Sequence, residues 1–291
     1  MLDTVARLRR FNRVVTREIG ALDTSYLGRG RPLGAARVLQ LVKPEGTDVA
    51  ELRQRLGLDT GLLSRILRSL EAEGLVEVTP DPADRRRRIA YLTPAGLAEW
   101  QVYDSLGHAK AQAVLDRAGT NQQALIEAMD LIATVMLKDD VVIHDADPAD
   151  PAALSCLGAY YQLLVDLNAG ITADMLPLSL PDAERYRSPD GAFLVAWSED
   201  LPIGCVSLRR LGSKLAEVKR LWVHPHARGQ GLGLRLMRAI EARARDLGYA
   251  YAKLDSNTIL TAAVSLYRSD GWTECDPYTD PPANIWMSKR L

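Results

Sequence analysis

Arg228-Gly229-Gln230-Gly231-Leu232-Gly233 is the stretch whose residue types and spacing point most directly to chemistry. It follows the apolar, strand-like Leu221-Trp222-Val223 and precedes a helical pattern. A strand, a glycine-rich turn and a helix N-terminus together can hold a pyrophosphate. Glycine lets backbone N–H groups approach the ligand, and the helix end adds partial positive charge. Three phosphorylated ligands can be weighed on the letters. A nucleotide P-loop ends in Gly-Lys-Ser/Thr, whereas Gly233 is followed by Leu234 and Arg235. A dinucleotide fingerprint begun at Gly229 and Gly231 needs a third glycine at 234, where Leu234 stands. Asp255 sits at roughly the spacing of a ribose partner, a weak signal by itself. The pattern that fits is Arg-x-x-Gly-x-Gly, carried by Arg228, Gly231 and Gly233. On the hexamer alone, a glycine-rich turn with no ligand stays open.

The elements that must position this loop can be read from its flanks. Ala216–Val223 reads as a strand closed by Pro225. Leu232, Leu236, Ile240, Ala244 and Leu247 recur at helical spacing, and Gly248 ends that helix. Tyr249–Leu254 reads as the next strand, followed by Asp255-Ser256-Asn257, a helix over Thr261–Ser269, and a last strand near Ile285–Lys289. This order, the Arg-x-x-Gly-x-Gly loop and the ending Tyr267-Arg268-Ser269-Asp270-Gly271-Trp272 resemble the second half of a GNAT N-acetyltransferase domain. The resemblance spans roughly 141–291 and is specific over 214–272. Over 141–212 it rests only on strand-like stretches around 192–197 and 203–209.

The resemblance implies an α/β fold with a mixed, splayed sheet. It also implies acetyl-CoA as co-substrate, no metal, and direct acetyl transfer to an amine. Gly229 and the backbone N–H groups of Gln230, Gly231, Leu232, Gly233 and Leu234 would hold the pyrophosphate. Backbone groups of Leu221 and Val223 would pair with the pantetheine amides like an added strand, provided that the strands at 216–223 and 250–255 splay apart. Arg228 would reach a CoA phosphate. Transfer needs a neutral amine, a polarised carbonyl and a proton for the thiolate. Tyr267 matches the family tyrosine that faces the sulfur as general acid; the alternative is a core tyrosine. Asn257 matches a position that touches pantetheine; the alternative is a turn residue. Glu217 is the candidate general base, set by strand alternation on the face of Lys219, Leu221 and Val223; the alternative is a solvated or substrate-binding carboxylate. His224 and His226 read as loop residues. The acceptor amine is not readable, with Asp174, Glu217, Asp276 and Asp280 as possible partners.

At 291 residues the chain has room for about two domains. The seam falls near Lys138-Asp139-Asp140, giving domains 1–138 and 141–291. The first is mainly helical. Asp48–Leu56, Gly57-Leu58 and Asp59–Gly74 read as helix, turn, helix, with Thr47 and Asp48 as N-cap candidates for the first and Asp59 or Thr60 for the second. Leu62, Leu63, Ile66, Leu67 and Leu70 mark the buried side of the second helix, leaving Ser64, Arg65 and Arg68 on the other. Leu75–Val78 and Ile89–Leu92 read as short strands around a loop containing Asp84, Arg85, Arg86, Arg87 and Arg88. Glu71-x-x-Gly74-Leu75-Val76, Asp84-x-Arg86 and Leu92-Thr93-x-x-Gly96 resemble the MarR family of winged-helix regulators. The resemblance implies a homodimer built by outer helices at about 2–20 and 98–137. It implies duplex DNA as partner, the recognition helix in the major groove and the wing arginine in the minor groove, with Asp84 orienting Arg86 by a salt bridge. Residues 1–140 carry twenty Lys/Arg against nineteen Asp/Glu, so DNA affinity must come from a local patch, and Arg85–Arg88 is that patch.

The N-terminus reads as charged and amphipathic, not as a secretory signal. Cys156, Cys205 and Cys275 form no metal or disulfide spacing, which fits a reducing cytoplasm. The preferred reading is a bifunctional chain, a MarR-type regulator fused to an active acetyltransferase. Two others stay open: a regulator that senses acetyl-CoA or another ligand without turnover, and an acetyltransferase whose MarR-like half only dimerises.

Overall fold

The computed structural model describes residues 3–170, 172 and 182–291. Its contacts divide the chain into two compact units, Met1–Gln122 and Gln123–Leu291.

In the first unit, α1 (Thr4–Ile19) is capped by Asp3, whose carboxylate accepts from the Ala6 N–H at 2.7 Å. It buries none of its own residues within the unit. Helices α2 (Leu33–Leu41), α3 (Val49–Leu56) and α4 (Thr60–Ala72) follow, with a short strand β1 (Thr47–Asp48) before α3. Of the cap candidates, the two aspartates act. Asp48 accepts from Ala50 N–H at 2.7 Å and Asp59 from Leu62 N–H at 2.9 Å, satisfying donors that a helix start otherwise leaves orphaned. The turn between α3 and α4 passes through Gly57 at φ +60°, a left-handed position that glycine takes without cost. Leu63, Leu67 and Leu70 of α4 are buried with Val38, Leu39 and Leu52.

Strands β2 (Val76–Pro80) and β3 (Arg88–Leu92) pair antiparallel, and β1 joins β3 from the other edge. Helix α5 (Pro94–Ala118) leaves this hairpin by a tight junction. Thr93 Oγ1 donates to Gly74 O at 2.6 Å and accepts from Gly96 N at 3.0 Å. A Cβ on Gly96 would lie 1.8 Å from the Leu75 carbonyl oxygen. Leu-Thr-x-x-Gly is therefore a packing requirement at the wing exit. The helical stretch expected over 98–137 is not continuous: it breaks at Gly119, at φ +54°, before α6 (Gln122–Met136). Helix α6 falls largely in the second unit, whereas the letters place the seam after it.

The second unit is built on a seven-stranded sheet of order β4-β5-β6-β7-β8-β10-β9. Its strands are β4 (Val142–Asp145), β5 (Ala192–Ser198), β6 (Leu201–Arg210), β7 (Leu215–Val223), β8 (Tyr251–Ser256), β9 (Thr273–Glu274) and β10 (Ile285–Arg290). All neighbours are antiparallel except β7 and β8, which are parallel. Helix α7 (Pro151–Asp166) covers one face, packing Ala153, Cys156 and Leu157 against Phe193, Val195, Cys205 and Trp222. On the other face α8 (Leu232–Asp246) and α9 (Thr261–Ser269) bury Leu236, Met237, Ile240 and Val264 against Ala216, Val218, Ala252 and Leu254. Burying both faces explains the near-continuous apolar run of β5. Among the described residues, no helix is long and apolar enough to cross a membrane.

Candidate active site

The site begins where β7 and β8 part. They pair at Leu215–Tyr251, Ala216–Ala252 and Glu217–Lys253, and no ladder pair joins them beyond that point. The splay opens a cavity of about 480 Å³ lined by β7 from Val218 to Val223, by the loop and by α9. Arg228, Gly229, Gly231, Leu232, Gly233 and Leu234 all line it; Gln230 does not, and its side chain donates to His226 O at 2.9 Å. Gly229 and Gly231 take left-handed backbone at φ +74° and +82°. Gly231 caps α8 without any side-chain hydrogen bond. Among the described residues, nothing accepts the backbone N–H groups from Gly229 to Leu234. A row of free donors at a helix N-terminus, facing a cavity, suits a pyrophosphate. Arg228 Nε donates to Val223 O at 3.0 Å, tying the loop back to the strand and leaving the rest of its exposed guanidinium free.

Tyr267 lines the cavity from α9, with its ring 6.4 Å from that of Trp272. Its hydroxyl meets no hydrogen-bond partner among the described residues. Burial, together with the charge of Asp255, pushes it well above the usual tyrosine value. Tyr160 of α7 lines the same cavity and is raised likewise, by burial first and then by Tyr267. Both hydroxyls therefore keep their protons at neutral pH.

Glu217 is not where alternation puts it. One extra residue enters β7: Cys205 pairs with Trp222 but Ser207 with Lys219, and Arg220 takes φ +58°. This bulge reverses the alternation. Leu221 and Val223 pack on the α8 face, whereas Glu217 stays on the opposite face, fully buried, with Arg209 Nε and with Lys219 Nζ at 3.4 Å. It does not line the cavity, so its expected place beside Leu221 and Val223 is corrected. The carboxylate that does line the cavity is Asp255, held by Lys219 Nζ at 2.5 Å and Thr279 Oγ1 at 3.0 Å. Asn257 is a turn residue. Its Oδ1 accepts from Ile259 N–H at 3.0 Å and its Nδ2 donates to Pro282 O at 2.9 Å, and it lines only a smaller neighbouring cavity. Asp280 lines that second cavity, Asp276 lines neither, and Asp174 lies outside the described residues. His224 Nδ1 accepts from His226 N–H at 3.3 Å, a loop contact.

On the first unit, Ser64, Arg65 and Arg68 are exposed on the side of α4 opposite its leucines. In the wing the expected Asp84–Arg86 salt bridge is absent. Asp84 Oδ1 instead accepts the backbone N–H of Arg86 at 3.0 Å, the local bond that short acidic side chains favour in turns. Arg87 makes the ion pairs, with Asp48 at 2.7 Å and Asp81 at 3.6 Å, and so pins the wing to the start of α3. Arg85, Arg86 and Arg88 are exposed and make no ion pair among the described residues.

The Acetyltransferase (GNAT) family matches residues 161–272, and the MarR family matches residues 29–87. An uncharacterised N-acetyltransferase of Schizosaccharomyces pombe is 38% identical over 109 residues, which are 37% of this chain and 67% of that protein. The IAA acetyltransferase of Azospirillum brasilense is 32% identical over 141 residues, covering 46% of this chain and 91% of its own. The chain belongs to the GNAT acetyltransferase family. Among solved structures, the PaiA N-acetyltransferase of Thermoplasma acidophilum, in complex with coenzyme A, covers 52% of this chain and 99% of its own, at 21% identity and a TM-score of 0.42.

Within the GNAT half, Tyr160, Lys219, Arg220 and Asp255 line the cavity, although the letters did not single them out for it. Asp255 was visible only as a possible ribose partner. Nothing in the string Glu217–Val223 marks the bulge, because its polar and apolar letters read as an unbroken strand. The MarR half, joined to the GNAT half in one chain, keeps its free arginines at the wing tip.

Proposed function

We propose that this chain transfers an acetyl group from acetyl-CoA to an amine, and that its MarR half binds duplex DNA as a homodimer. The observation that carries the enzymatic part is the row of unpartnered N–H groups from Gly229 to Leu234 at the head of a cleft that ends at Tyr267. The pyrophosphate rests on those donors, and the pantetheine lies along β7 where β8 has left it. Attack by the neutral amine on the thioester carbonyl forms the C–N bond and breaks the C–S bond. The leaving sulfur takes the Tyr267 proton, and Asp255 is placed to hold the incoming ammonium and receive its proton. The cleft walls Leu221, Leu232 and Leu266 exclude water, which strengthens these electrostatic contacts. For DNA, Arg85, Arg86 and Arg88 supply the wing charge and Ser64, Arg65 and Arg68 the major-groove face, while Arg87 acts as a tether.

The test is incubation of the full chain with isotope-labelled acetyl-CoA and a library of amines and peptides, read by mass spectrometry. A labelled acetylated product is expected. Tight acetyl-CoA binding with no product from any acceptor would replace transfer by ligand sensing.

A further inference from the structure

A second cavity, of about 220 Å³, adjoins the cleft. Tyr160, Lys219, Arg220, Asp255, Ser256 and Leu260 line both, so the two spaces adjoin along β7 and β8. Arg220 is the unusual member. The bulge turns it out of the strand's alternation in a left-handed backbone conformation, which a side chain other than glycine holds only under strain. Its Nε donates to Tyr161 OH at 3.1 Å, another nitrogen donates to Tyr186 OH, and the guanidinium carbon stands 4.6 Å from the centre of the Tyr186 ring. These contacts use only part of its five donors. Several other partly buried cations of this unit have carboxylates: Arg209 has Glu217, Lys219 has Glu217 and Asp255, and Lys289 has Glu241 and Asp270, whereas Lys253 lies over the Tyr278 ring. Among the described residues, no carboxylate pairs with Arg220. A charge taken out of water without a counter-ion is costly, and a strained backbone placing it there points to a ligand that brings the anion.

The same cavity holds the opposite charge. Asp255 and Asp280 line it, with Leu164, Leu260 and Pro282 among its apolar lining. With Lys219 paired to Asp255, the lining leaves Arg220 without a carboxylate of its own beside the carboxylates of Asp255 and Asp280, a combination that matches a zwitterion. We propose that this cavity is the acceptor subsite and that it takes an α-amino acid, its carboxylate on Arg220 and its amino group towards Asp255 and the thioester. The proposal rests on the acetyl-transfer reading and narrows it. It disfavours polyamines, which carry no anion for Arg220 and meet Lys219 as a like charge. The apolar walls favour a small or medium apolar side chain over a charged one.

The experiment is calorimetric titration of the full chain, loaded with CoA, against free amino acids, their carboxamides and spermidine, followed by acetylation assays with the same panel. At least one free acid is expected to bind about 30-fold or more tightly than its carboxamide, the worth of hydrogen bonds to a buried charged group. Arg220→Gln is expected to remove that preference. Should that variant fail to fold, Tyr161→Phe, which frees Arg220 Nε without touching the charge, is expected to shift KM for the acid while leaving its kcat nearly unchanged. Equal affinity for acids and carboxamides, or a preference for spermidine, would overturn the subsite. Acid-selective binding without acetylation would uphold it and count against the transfer reading. Acetylation of spermidine or carboxamides with no preference for acids would do the reverse.

Discussion

Replacing Gly231 by alanine separates the loop's role as a ligand cradle from its role in the fold, because the same helix carries a matched control. Gly231 precedes α8 at φ +82° and Gly248 follows it at φ +86°, and an added Cβ meets nothing within 4 Å at either position. Each alanine therefore carries the same cost, the left-handed backbone of an L-residue, roughly 1–2 kcal/mol. For a unit of this size that lowers Tm by about 2–8 °C. Only Gly231 adjoins the cavity. Acetyl-CoA at 100 times Kd stabilises the wild type by about 2.7 kcal/mol. Misaligning N–H donors to a charged pyrophosphate costs on the order of 1.5–3 kcal/mol, roughly a 10- to 100-fold loss of affinity. At the same ligand concentration the stabilisation of Gly231→Ala then falls to about 0.4–1.4 kcal/mol. Differential scanning calorimetry with and without acetyl-CoA reads both effects. The expected pattern is similar destabilisation of the two variants and a ligand shift reduced to about half or less in Gly231→Ala alone. Equal ligand shifts in both would refute the pyrophosphate assignment of the loop.

Three further outcomes are expected. Tyr267→Phe keeps the ring against Trp272 and removes a hydroxyl with no described partner, so acetyl-CoA affinity stays nearly constant while kcat falls by about 100-fold or more; unchanged turnover would remove Tyr267 from the chemistry. Arg86→Ala, at an exposed and unpaired position, is expected to weaken binding to an operator selected from random DNA at least several-fold, read by gel shift, whereas an intact shift would exclude the wing role. Hydrogen bonds from Arg187, then from the Ala149 N–H, hold Asp147 down to about 2. Being depressed, it contributes stability that is present above its unfolded value near 4 and is lost as pH falls through about 2. Thermal melts of Arg187→Gln are expected to show a smaller loss of Tm over that window than the wild type, and parallel curves would contradict this.

The parts of the molecule that were legible in the letters are those set by local chemistry. Asp48 and Asp59 stood among the cap candidates before apolar periodicity, Gly96 came with the wing-exit motif, and the glycines of the loop suited the left-handed turns they take. Tyr267, singled out by the family resemblance, lines the cavity. The parts that were not legible depend on one inserted residue or on distant partners. The bulge at Arg220 moves Glu217 and Leu221 to opposite faces without changing any letter in the strand's pattern. The Glu217–Arg209 and Lys219–Asp255 pairs join neighbouring strands whose register the letters do not state. Asn257, open between a pantetheine contact and a turn residue, and Asp84, expected in a side-chain salt bridge, both spend an oxygen on a nearby backbone N–H group, as short polar side chains in turns do. Arg87, inside a run of four like letters, differs from its neighbours only because Asp48 lies beside it in space.

The central claim is that acetyl-CoA sits in the splay between β7 and β8 with its pyrophosphate on the N–H groups from Gly229 to Leu234. A crystal structure of the full chain with acetyl-CoA tests it most directly. The expected result is pyrophosphate oxygens within hydrogen-bond distance of those N–H groups and the thioester beside Tyr267. A pyrophosphate bound elsewhere, or a thioester remote from Tyr267, would contradict it.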